Sequence, residues 1–83
     1  MTTLCVYIEP DCWNCNEARV LAQEIAAAFP QLNVQIVEMV TGAAKPDYIF
    51  ATPTFILNDR VISLGNPTRE ALRDRIMHAL VGD

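Results

Sequence analysis

Residues 4–8 form an apolar run carrying Val6, Tyr7 and Ile8, closed by Pro10. Residues 12–29 then place Ala18, Ala22, Ile25, Ala26 and Phe29 at helical spacing, until Pro30 stops the pattern. A second apolar run follows at 34–40. Two strands joined through one helix pair in parallel, and the crossover between them is right-handed. The first half of the chain therefore reads as a βαβ unit. Its first strand has the continuous apolar character of a strand buried on both faces.

The second half changes pattern. Residues 41–51 are weakly organised, with Gly42 and Pro46 as breakers and Tyr48, Ile49 and Phe50 as apolar weight, and read as a loop with a short helix. The runs 54–57 and 60–64 are separated by Asn58-Asp59, residues that tolerate positive φ, and predict an antiparallel hairpin. Gly65-Asn66-Pro67 then punctuates, with Asn66 as an N-cap and Pro67 at the first helical position. Leu72, Ile76, Ala79 and Leu80 give the closing helix its apolar face. The expected order is β-α-β-(α)-β-β-α. With 83 residues, 52% of them hydrophobic, the chain suits one domain spanning 1–83 with a real core.

Charge and composition exclude several classes of partner. The net charge is −4 and the six Lys and Arg residues are dispersed, unlike the clustered basic footprint of a nucleic-acid binder. The longest apolar stretches are under ten residues, short of a membrane span, and Met1-Thr2-Thr3 lacks the basic start of a secretory signal. Three cysteines are an odd count without a framework spacing, which suits a reducing cytoplasm better than a disulfide-stapled scaffold. The expectation is a soluble, cytoplasmic protein.

The chemistry concentrates in Glu9-Pro10-Asp11-Cys12-Trp13-Asn14-Cys15, between the first strand and the first helix. Two cysteines separated by two residues at a helix start can bond, and the outer one faces the helix amides, whose partial positive charge favours a thiolate. Half of a metal site and two inert buried thiols are the other readings. A zinc site needs four ligands, and beyond the pair the chain offers Cys5, His78 and scattered carboxylates. Cys5 reads as a small core filler, Met39 and Met77 as core, and His78 as a surface residue near the end of the closing helix.

The element order, with Cys-x-x-Cys at the first strand-to-helix junction and Thr52-Pro53-Thr54-Phe55 entering the third strand, resembles the thioredoxin superfamily in its short, glutaredoxin-sized form. The stretch 51–65, a Pro-Thr strand, a turn, a second strand and Gly65 before the last helix, is similar to the thioredoxin pattern. The resemblance implies an α/β thioredoxin-like fold, with a four-stranded mixed sheet flanked by helices. It implies thiol–disulfide exchange in which Cys12 attacks and Cys15 resolves, Cys12/Cys15 being the redox-active disulfide. It implies that Pro53 is a cis proline beside the pair, and that Trp13, Asn14, Thr52 and Pro53 meet the substrate. Without the resemblance, Pro53 would read as a trans residue opening an edge strand. The implied partners are a protein disulfide and, as electron source, a reductase or glutathione. No cofactor or metal is implied, and the chain is expected to act as a monomer.

Departures from the family bear on subtype. Thioredoxins carry a buried Asp on the first strand that assists the resolving cysteine, and alignment on the pair puts Val6 there. Glu38 could substitute through water, or be a solvated strand-end residue. Glutaredoxins bring a basic residue ahead of the pair, and a Gly-Gly with an acidic residue at the last helix. Here Glu9 and Asp11 flank the pair and Gly65-Asn66-Pro67-Thr68 begins the helix, which disfavours anionic glutathione and favours thioredoxin-like protein reduction. Glu9, Asp11 and Glu17 also oppose a thiolate on Cys12. Trp13 is either an exposed contact for a partner protein or a lid folded over the core. Two further functions fit the same residues: a docking module that keeps the fold without turnover, and a metal site made by two chains through Cys12 and Cys15.

Overall fold

The computed structural model describes residues 2–10, 12–39 and 52–82. The elements are β1 (Thr3–Ile8), α1 (Cys15–Ala28), β2 (Asn33–Glu38), β3 (Thr54–Leu57), β4 (Arg60–Leu64) and α2 (Arg69–Leu80). The loop and short helix expected at 41–51 lie outside the described residues.

The strands form one mixed sheet in the order β2-β1-β3-β4. β1 runs parallel to β2, with Leu4 beside Val34 and Ile8 beside Glu38, as the βαβ reading requires. β3 is antiparallel to both β1 and β4. Asn58 and Asp59 turn the β3–β4 hairpin with φ of 48° and 69°, the left-handed pair that matches the twist of the flanking strands.

β1 is buried on one face only. Leu4, Val6 and Ile8 are fully buried, while Thr3, Cys5 and Tyr7 between them are half-buried. The first three join Ala18, Leu21, Ala22 and Ile25 of α1, Phe55 and Leu57 of β3, and Leu72 and Ile76 of α2 in one core. Both described helices thus cover the same face, which corrects the expectation of a strand buried on both. Cys5 is half-buried on the opposite face and not a core filler; its Sγ lies 3.6 Å from Gln35 Oε1 on β2.

The buried face of α1 is turned slightly from the expected one, while α2 keeps its expected face of Leu72, Ile76, Ala79 and Leu80. In α1 Leu21 is buried and Ala26 exposed, because one residue past Ile25 is a 100° step out of the core. In α2 the same step past Ile76 leaves Met77 half exposed, so it is not core. Met39, just past β2, is half-buried, and its N–H donates to Ile8 O at 2.8 Å.

The N-cap of α2 is Thr68, not Asn66: the Thr68 hydroxyl accepts from Ala71 N–H at 3.1 Å. Arg69 then grips α1 with a fork on Glu24, at 2.7 and 3.1 Å, and reaches Glu17 at 3.5 Å. The fork holds the Glu24 carboxyl below its ordinary range. Glu17, expected to repel a thiolate, is paired with Arg69.

Candidate active site

The redox pair closes the turn between β1 and α1. Cys12 and Cys15 form a disulfide with their Cα atoms 5.2 Å apart. Cys12 N–H donates to Glu9 O at 3.3 Å and Cys15 N–H to Cys12 O at 3.2 Å, so the chain turns before it becomes helical. The helix starts at Cys15 rather than at Cys12, and the outer cysteine stands ahead of the free amides of the first turn. Cys15 is 3% exposed and belongs to the core, whereas Cys12 is half-buried. The two sulfurs therefore differ in access, although they share one bond.

The second wall is the start of β3. The Thr52–Pro53 peptide is cis. Thr52 O lies 3.6 Å from Cys12 Sγ. Gly65 N–H donates to Pro53 O at 2.7 Å, and Ser63 Oγ donates to Gly65 O at 2.8 Å, which tie the end of β4 to the Thr-Pro segment. Gly65 sits at φ +103°, a conformation that residues with a Cβ rarely adopt.

Two polar side chains cross the site. Glu9 N–H points to Cys15 Sγ at 3.5 Å, and Glu9 Oε1 accepts from the Thr52 hydroxyl at 2.8 Å. Asn66 Nδ2 donates to Asn14 O at 3.0 Å, joining the β4–α2 connection to the residue between the cysteines. Neither contact was expected from the sequence. Glu9 and Thr52 are 43 residues apart, and Asn66 read as a cap because Asn is a common one.

The other candidates sort clearly. Trp13 is 92% exposed, so it is no lid over the core. Asn14, the N-cap residue of α1, is also exposed and makes no side-chain cap bond. Cys12, Cys15, Trp13, Asn14, Thr52 and Pro53 thus come together at one end of the sheet, by the pair itself, chain adjacency and the Cys12–Thr52 contact. Val6 is fully buried at the position where the family has its Asp. Glu38 pairs with Arg19 at 3.4 Å with half its side chain exposed, the solvated strand-end alternative. His78 is exposed in the last turn of α2. Burial, and then the Asp59 carboxylate, push the Cys5 thiol up from its ordinary range. Among the described residues no group of three or more His, Cys, Asp or Glu side chains is arranged to hold a metal ion. Among them, too, no helix is long and apolar enough to cross a membrane.

No family model matches the chain. A thioredoxin of Methanocaldococcus jannaschii is 31% identical over 78 residues, covering 90% of this chain and 92% of that protein. The chain belongs to the thioredoxin family. Among solved structures, one from a study of the thiol resolving mechanism in yeast mitochondrial 1-Cys peroxiredoxin via glutathione/thioredoxin systems superposes with a TM-score of 0.71 at 18% identity, over 93% of this chain and 77% of that one. Oxidised mitochondrial thioredoxin 3 from Saccharomyces cerevisiae superposes with a TM-score of 0.61 at 20% identity, with the same coverage. Both likenesses are of fold. Family and bonded pair together make this thioredoxin-family protein a dithiol–disulfide oxidoreductase.

Proposed function

We propose that this protein acts as one thioredoxin-like domain, monomeric and cytoplasmic, that reduces protein disulfides with Cys12 as the attacking thiolate and Cys15 as the resolving thiol. The unequal access of the two sulfurs carries the assignment: an incoming disulfide can reach the half-buried Cys12, while Cys15 is 3% exposed. Cys12 S⁻ attacks one substrate sulfur, forming a mixed disulfide and releasing the other substrate sulfur as a thiolate. Cys15 gives up its proton and attacks Cys12 Sγ, releasing the second substrate thiolate and restoring the Cys12–Cys15 bond. Two electrons pass to the substrate. The weak Glu9 N–H contact supports the second step, because it favours negative charge on Cys15 as the proton leaves.

Thr52 and Pro53, fully or partly buried against Cys12, form the edge along which an extended substrate segment pairs, as the family resemblance implies. Trp13 and Asn14 are the exposed contacts on the other side of the pair. An indole 92% exposed beside the reactive sulfur suits an apolar protein surface.

For the electron source, the acidic flank supports a thioredoxin-reductase-type enzyme over glutathione, since the Glu9 carboxylate stands beside the pair and glutathione is an anion. The test is reduction of the disulfide form under two conditions, by NADPH with a thioredoxin reductase and by glutathione with glutathione reductase. Faster reduction by the enzyme is expected. Glutathione turnover that equals or exceeds it would make the protein glutaredoxin-like in use. No reduction of insulin with either donor would leave the docking-module reading in its place.

A further inference from the structure

Glu9 enters the sequence reading only as an unwelcome anion beside Cys12. In the fold its carboxylate accepts from the Thr52 hydroxyl at 2.8 Å, while Glu9 N–H lies 3.5 Å from Cys15 Sγ and Thr52 O lies 3.6 Å from Cys12 Sγ. Glu9 and Thr52 therefore bracket the two sulfurs, and one side-chain bond joins the bracket. That bond spans 43 residues of sequence and links the end of β1 to the entry of β3.

We propose that Glu9 is a positioning residue for polypeptide substrates: its carboxylate holds Thr52 in the orientation that presents the Thr52 backbone beside Cys12 to an extended chain. This rests on the substrate edge proposed above. Three observations carry it. The bond is short and its acceptor is a carboxyl oxygen, the acceptor type that forms the stronger, charge-assisted class of hydrogen bond. Thr52 is half-buried next to a fully buried Pro53 whose carbonyl is held by Gly65 N–H at 2.7 Å, so its remaining freedom is at the Thr52 side, where Glu9 acts. The carbonyl that touches Cys12 Sγ belongs to the same residue that Glu9 holds, so a shift of Thr52 moves the substrate edge relative to the attacking sulfur.

Positioning and charge separate cleanly by substitution. Glu9→Gln removes the charge and keeps an oxygen that accepts from Thr52; Glu9→Ala removes both; Thr52→Val removes the donor at nearly constant shape. Each reduced variant is reacted with insulin, whose disulfides lie in a polypeptide, and with 2,2′-dipyridyl disulfide, a small neutral molecule with no chain to lay along Thr52.

If Glu9 positions Thr52, Glu9→Ala and Thr52→Val slow insulin reduction about tenfold, the equivalent of one charge-assisted hydrogen bond, relative to their rates with the small disulfide. Glu9→Gln loses no more than about threefold on the same ratio, because a neutral acceptor remains. The double variant Glu9→Ala/Thr52→Val is no slower than the worse single variant, since both changes cut the same bond. With dipyridyl disulfide, Glu9→Gln and Glu9→Ala react alike, reporting the shared loss of charge.

Equal insulin rates for Glu9→Ala and Glu9→Gln, or additive effects in the double variant, would overturn the proposal. Equal slowing with both disulfides would also overturn it, by showing a general disturbance of the pair. Failure of the proposed function looks different: wild-type protein would then reduce dipyridyl disulfide but not insulin, and no variant would change the ratio.

Discussion

Truncating Ile76 should cost most of what α2 contributes, while truncating its neighbour Met77 should cost almost nothing. Ile76 is fully buried and, with Leu72, is one of two fully buried side chains by which α2 joins the core; Met77 is 52% exposed. Ile76→Ala deletes three carbon atoms, a transfer loss of about 2.4 kcal/mol at ~0.8 kcal/mol per methylene. The cavity adds to this, giving roughly 3–4 kcal/mol, within the ~2–5 kcal/mol seen for such changes. A chain of 83 residues holds about 4–12 kcal/mol in total, so the loss is about a quarter of it or more. At about 4–8 °C per kcal/mol for a domain of this size, the melting temperature falls by roughly 12–30 °C. Met77→Ala should stay within about 0.5 kcal/mol. Urea titration and thermal melting of the disulfide form, followed by far-ultraviolet circular dichroism, measure both. Equal losses for the two variants, or an Ile76→Ala loss under about 1 kcal/mol, would refute the docking of α2 described here.

Other outcomes follow from the same contacts. Because burial and Asp59 raise the Cys5 pKa, the unfolded thiol ionises first, and Cys5 contributes stability below the ordinary thiol range that is lost as pH rises through its folded value; Cys5→Ala should flatten the alkaline fall in urea midpoint. The Arg69 fork lowers the Glu24 pKa, so its contribution is present above the ordinary carboxylate range and lost as pH falls through the folded value. The gap in urea midpoint between wild type and Arg69→Ala should therefore shrink in acid, and a constant gap would contradict the pairing. Asn66→Ala loses the bond to Asn14 O, worth about 1 kcal/mol, but also removes a buried Oδ1 that meets no donor among the described residues, a cost of ~1–3 kcal/mol. The relief equals or exceeds the loss, and thermal melts should place the variant between wild-type stability and about 2 kcal/mol above it.

The fold was legible where local chemistry decides it. Residues 54–57 and 60–64 became β3 and β4 at their expected bounds, because Asn58 and Asp59 take the positive φ that a two-residue hairpin turn needs. The βαβ unit followed from spacing alone. Where two residues within a turn of each other suit one role, the pattern misled: Thr68 rather than Asn66 caps α2, and Met77 points outward one step past Ile76. The cysteine pair announced the site, and the family resemblance drew Thr52 and Pro53 to it. The Glu9–Thr52 and Asn66–Asn14 bonds were illegible, since they join residues 43 and 52 apart in sequence and depend on how β1, β3 and the β4–α2 connection meet. Cys5 was misread for a related reason. An apolar strand in sequence does not say which face the helices cover.

The division of labour between the two sulfurs is tested most directly by trapping. Reduced Cys15→Ser and Cys12→Ser variants are incubated with insulin in parallel, and the products are analysed by intact mass and peptide mapping. Cys15→Ser should accumulate a mixed disulfide through Cys12, because attack proceeds and resolution cannot. Cys12→Ser should accumulate none, since the remaining thiol of the pair is 3% exposed in the fold. An adduct on Cys15 in the Cys12→Ser variant, with none on Cys12 in its counterpart, would contradict the assignment of attacking and resolving sulfurs.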